Sequence, residues 1–204
     1  AYTDPRSNVI IDDAKSYFAS QNKKFDLIIS EPSNPWISGI GALFSKEFYQ
    51  FIPKHLNQTG LFVQCVQLHE IHDELLGSVL QSLTPAFSDY SAWITNNTDL
   101  IIIATPQGKL PNLDFDKINS AETLKYELAR IGITSANNMN FRQVADANLL
   151  RAAATAYSSL PPNSDFHPIL SLHAPKTRFQ SASASAFFSL PFINGNLLAA
   201  MDIR

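Results

Sequence analysis

Apolar residues in this chain change period several times, and each change marks an element. Residues 8–11 (Asn8-Val9-Ile10-Ile11) form a short β-branched run, predicted to be a strand. Asp12-Asp13-Ala14 follows, then a helical stretch over 15–21, for which Asp13 is an ordinary N-cap. Phe25-Asp26-Leu27-Ile28-Ile29-Ser30 is a second strand, apolar enough to be buried on both faces as central parallel strands are. Leu43, Phe44, Phe48, Phe51, Ile52 and Leu56 then recur at helical spacing, with Ser45 as N-cap and Pro53 ending the helix early. Residues 57–60 read as a turn into a strand over 61–66. Leu75, Leu76, Val79, Leu80 and Leu83 define one face of another helix. Two further strands, 88–95 and 99–105, are separated only by Asn96-Asn97-Thr98, which suits an antiparallel hairpin better than a helical crossover. The order βαβαβα plus hairpin predicts an α/β fold.

The pattern loosens after Pro106. Residues 107–120 are turn-rich, 122–130 and 141–160 are predicted helices, and Pro161-Pro162-Asn163-Ser164-Asp165 stops the second. Pro168 and Pro175 make 167–178 read as extended, and the last residues are weakly helical. The expected division is an α/β domain over 1–106 and a helical C-terminal extension over 107–204 packed on it. At 204 residues the chain can bury one core with a small appendage. No apolar run reaches the roughly 18–20 residues that span a bilayer. Ala1-Tyr2-Thr3-Asp4-Pro5-Arg6 has neither initiator Met nor targeting pattern, so a longer parent protein is expected.

Composition removes several functions. A net charge of -3 offers no basic field for nucleic acid or anionic lipid. A single cysteine, Cys65, excludes an internal disulfide, suits a reducing compartment, and reads as core rather than nucleophile. Without a signal peptide, Asn57-Gln58-Thr59 and Asn96-Asn97-Thr98 are chance sequons. His69-Glu70-Ile71-His72 lacks the i, i+4 histidine pair of a zinc helix, so no metal is expected. Gly39-Ile40-Gly41 lacks the third glycine of a dinucleotide loop. The chemistry concentrates at Glu31, which leaves the 25–30 strand where open α/β sheets bind ligands. Ser33 and Asn34 behind it are also ordinary turn formers, and Trp36 a packing residue.

Several segments together resemble the spermidine synthase (polyamine aminopropyltransferase) family. They are Asp4-Pro5-Arg6, Val9-Ile10-Ile11-Asp12-Asp13-Ala14, Glu31-Pro32-Ser33-Asn34-Pro35, Leu43-Phe44-Ser45-Lys46-Glu47-Phe48-Tyr49 and Gly60-Leu61-Phe62-Val63-Gln64. Ser30-Glu31-Pro32-Ser33-Asn34-Pro35-Trp36 and Asn163-Ser164-Asp165-Phe166-His167-Pro168-Ile169-Leu170 are closest to its divergent bacterial, membrane-fused branch. The resemblance implies a partial class I methyltransferase-like (Rossmann-like) sheet ending in an antiparallel hairpin. It implies aminopropyl transfer from decarboxylated S-adenosylmethionine to a polyamine, without a metal. Glu31 takes the catalytic base position, Asp13 with Ala14 the adenine contact, and Ser33, Asn34, Trp36 and Gln64 the acceptor side.

Two departures bear on activity. Working synthases carry Asp at the positions of Glu31 and Asn34. The longer Glu31 side chain moves the carboxylate, and misplacement by about an ångström can cost about a hundredfold. Asn34 removes a charge that faces an ammonium. The family's Gly-rich cofactor loop and ribose-gripping acid are absent from the chain. The 204 residues alone are therefore expected to be inactive, and a free sheet edge to favour a homodimer. Localisation is expected to be cytoplasmic, with a possible tether to the inner membrane. The alternatives are an S-adenosylmethionine-dependent methyltransferase and a non-catalytic binding or regulatory domain of a membrane protein.

Overall fold

The computed structural model describes residues 3–95 and 98–190. The chain runs α1 (Ala14–Ser20), β1 (Phe25–Ser30), α2 (Lys46–Phe51), β2 (Leu56–Gln67), α3 (Asp73–Leu83), β3 (Asp89–Ile94) and β4 (Asp99–Thr105). It continues through α4 (Phe115–Ser120), α5 (Glu122–Arg130), α6 (Ala136–Asn140), β5 (Gln143–Ala145), α7 (Ala147–Ala156) and α8 (Ile169–Phe179). The five strands form one sheet of order β1-β2-β4-β3-β5. β1 and β2 are parallel, while β4 is antiparallel to both β2 and β3. A mixed α/β sheet whose hairpin returns its second strand to lie against β2 is the expected ending of a class I methyltransferase-like sheet.

Period-2 burial shows which face holds the core. In β2, Phe62, Gln64 and Val66 are buried, whereas Leu61, Val63, Cys65 and Gln67 are only partly covered. The buried face joins Leu100, Ile102 and Ala104 of β4 to Leu75, Leu76, Val79, Leu80 and Leu83 of α3 in one cluster. Ser45 caps α2, its Oγ accepting from Phe48 N at 3.3 Å, and a 3-10 turn holding Pro53 follows directly. Asp13 caps α1 by accepting from Ser16 N at 2.8 Å.

Several elements differ from expectation. Residues 8–11 form no strand, and Ile11 is 98% exposed. A β-branched run becomes a strand only against a partner ladder, and among the described residues β1 pairs with β2 alone. β1 is consequently an edge strand, with Leu27 50% and Ile29 62% exposed, rather than a central one. The supposed turn over 57–60 is absorbed into β2 as a register shift, where Phe25 faces Leu56 but Leu27 faces Leu61. Gly60 permits it: a Cβ there would lie 2.9 Å from the Phe25 carbonyl oxygen.

Residues 141–160 are not one helix. β5 takes the open edge of β3, and Asp146 then starts α7 by accepting from Leu149 N at 2.8 Å. Residues 167–178 are helical rather than extended. Pro168 stands at the N-cap of α8, Pro175 lies inside it, and Leu170, Ala174 and Thr177 form its buried stripe. The turn-rich stretch also contains α4, capped by Asp114. Of the last residues, expected to be weakly helical, 191–204 lie outside the described residues, as do the hairpin residues Asn96 and Asn97.

Candidate functional site

Register builds the site. Parallel pairing sets Ser30 opposite Gln64, so β1 and β2 end at the same sheet edge and Glu31 emerges beside Cys65. Antiparallel pairing then sets Gln67 opposite Asp99, bringing the first residue of β4 to that edge. A cavity of about 450 Å³ opens there. Glu31, Pro32, Ser33, Asn34 and Ile37 wall one side, and Cys65, Gln67 and Asp99 the other.

Alternation along β2 explains which of its residues reach the cavity. Cys65 and Gln67 share one face, while Gln64 points into the core. The Gln64 amide donates to the carbonyl oxygens of Ser30 (3.3 Å) and Cys65 (2.9 Å) and accepts from Tyr49 Oη (3.3 Å). Gln64 thus ties β1, β2 and α2 together and does not line the cavity. Trp36 is half-buried against the core, its ring edge-on to His69 with centroids 6.0 Å apart. Of the four acceptor-side residues expected from sequence, Ser33 and Asn34 line the cavity with Glu31.

A second groove, about 400 Å³, lies farther down the same sheet face between 8–14, α1 and β1. Asp12 and Ala14 line it together with Tyr17, Phe18, Leu27 and Ile29. Asp13 stands between those two lining residues with its carboxylate engaged at the α1 cap, and the hydrogen bond from Ser16 N holds its pKa below the usual carboxylate value. One groove thus takes Ala14 and the other takes Glu31, with β1 running between them.

The acid cavity has a distinct electrostatic character. Burial, then the Asp99 and Glu31 carboxylates, push the Cys65 thiol up to about 11. Cys65 is therefore a neutral thiol near pH 7 and a poor nucleophile. Gln67 Oε1 is buried and has no hydrogen-bond partner among the described residues. Asp99, Gln67 and Cys65 escape sequence reading as site residues because only long-range strand register brings them to Glu31. The one local signal is that Asp99 opens a strand straight after a tight hairpin. Among the described residues no group of three or more His, Cys, Asp or Glu side chains could hold a metal ion. No helix among them is long and apolar enough to cross a membrane.

Fold and site together define a methyltransferase-like α/β domain with a carboxylate-led loop at the strand edge. Residues 1–114 match the family model described as the spermine/spermidine synthase domain, and the chain belongs to that family. The polyamine aminopropyltransferase of Pectobacterium atrosepticum is 34% identical over 117 residues, 49% of this chain and 40% of that protein. That of Thermoplasma volcanium is 46% identical over 63 residues, 31% of this chain and 23% of the relative. The chain thus spans less than half the length of these relatives. A crystal structure of a probable spermidine synthase from Corynebacterium glutamicum superposes with a TM-score of 0.49 at 17% identity, covering 78% of this chain and 55% of that one.

Proposed function

We propose that this domain serves aminopropyl transfer from decarboxylated S-adenosylmethionine to a polyamine. The observation that carries the reading is Glu31 at the carboxyl edge of β1, in a cavity inside the family-matched segment. A neutral amine nitrogen attacks the propyl carbon bonded to the sulfonium sulfur. The N–C bond forms, the C–S bond breaks, methylthioadenosine leaves, and the amine proton passes to the Glu31 carboxylate. Ser33, Asn34 and Trp36 belong to the acceptor loop, and Gln64 supports it from the core side. Asp13 and Ala14 border the groove for the nucleoside.

Residues 1–106 supply the transferase part and 107–204 the extension, which contributes β5 to the sheet and α7 and α8 to the core. β1 has an unpaired edge among the described residues, which favours a homodimer. A cytoplasmic domain tethered to the inner membrane fits the branch resemblance. Because the nucleoside groove is open along that edge, the 204 residues on their own are predicted to turn over negligibly.

In the full protein, Glu31→Gln should lower kcat by at least about a hundredfold, the scale of a lost general base, with methylthioadenosine binding retained. Unchanged kcat would refute the catalytic role of Glu31. Calorimetric titration with methylthioadenosine separates an enzyme from a non-catalytic domain, since absence of heat would favour the latter.

A further inference from the structure

The acceptor loop carries one acid where an acceptor with two amino groups calls for two. Asn34, on the wall of the cavity, is an amide and cannot neutralise an ammonium. The opposite wall has what the loop lacks. We propose, on the aminopropyl-transfer reading, that Asp99 is the second substrate-binding carboxylate, holding the protonated nitrogen of a diamine or longer polyamine whose other nitrogen faces Glu31.

Several observations support this assignment. Asp99 and Glu31 line one cavity, and neither forms an ion pair among the described residues. Among the described residues no Lys, Arg or His lines that cavity to offset them. Gln67, the register partner of Asp99, holds a buried acceptor oxygen with no donor among the described residues. A buried acceptor left unpaired is costly, and an ammonium N–H is the donor that suits both it and the adjacent carboxylate. Behind burial, both carboxylates also raise the pKa of the Cys65 thiol, so each lies close enough to act on the cavity wall between them. An anionic or neutral acceptor would leave that field uncompensated; a cationic amine neutralises it. Among the described residues the Asp99 carboxylate accepts a hydrogen bond from Thr98 Oγ1 at 3.1 Å and forms no ion pair, so its charge can act on a ligand.

Calorimetry on the full protein with 1,4-diaminobutane and with butylamine tests the assignment. Asp99→Asn should weaken diamine binding about tenfold, the loss of one charge-assisted contact, and leave butylamine binding unchanged. Adding Asn34→Asp to Asp99→Asn should recover diamine affinity by returning a carboxylate to the other wall. Equal diamine binding by wild type and Asp99→Asn would overturn the role of Asp99 while leaving aminopropyl transfer standing. Failure of the wild type to bind any diamine would overturn both.

Discussion

Cys65 shows how a single residue reports on its surroundings. Its thiol is pushed up to about 11 from an ordinary value of 9.0, first by burial and then by Asp99 and Glu31. A raised pKa means that the folded state holds the proton more tightly than the unfolded chain. The resulting stability is present below pH 9.0 and is lost as pH rises through about 11. Alkylation of Cys65 by iodoacetamide should therefore have its pH midpoint near 11 in the wild type, and lower in Asp99→Asn. A wild-type midpoint at the ordinary thiol value would mean that neither burial nor the carboxylates act on Cys65. Sequence reading reaches Glu31 because a strand and its following loop are local. It does not reach Cys65, Gln67 or Asp99 as neighbours, because period-2 alternation reveals a strand's two faces but not which face meets Glu31. Cys65, expected in the core, is half-buried, on the face away from the main core.

At the scale of elements, the C-terminal extension is pinned by one short segment. Buried Asn163 donates from Nδ2 to the Gly41 carbonyl oxygen (2.9 Å) and accepts from Leu170 N (3.0 Å). Next to it, Glu47 accepts from Ser164 Oγ (2.8 Å) and Asp165 N (2.9 Å). Burial pushes the Glu47 carboxyl up, but these hydrogen bonds prevail and hold it below its usual value. Asn163→Ala leaves two buried backbone groups unpaired, and should cost about 1–3 kcal/mol in a denaturation midpoint assay. Leu80→Ala, within the fully buried face of α3, should cost about 2–5 kcal/mol in the same assay. A smaller loss at Leu80 than at an exposed control such as Leu172→Ala would contradict the core assignment. Elements with strong local signals, such as β4 and α5, fall at the bounds their patterns predict. Misread elements depended on distant partners or on prolines. Residues 8–11 lack a ladder, 143–145 take the edge of β3, and the 170, 174, 177 stripe of α8 persists despite Pro168 and Pro175.

For the whole molecule, one sheet face carries the hydrophobic core and the other carries both grooves, one beside Ala14 and one beside Glu31. This two-faced arrangement sets the groove beside Ala14 and the cavity beside Glu31 along the same strand. The most direct test offers the full protein decarboxylated S-adenosylmethionine and S-adenosylmethionine together with 1,4-diaminobutane, then identifies products by mass spectrometry. The expected result is an aminopropylated diamine with one methylthioadenosine released per transfer, and loss of both in Glu31→Gln. A methylated diamine, or turnover that survives Glu31→Gln unchanged, would contradict the account.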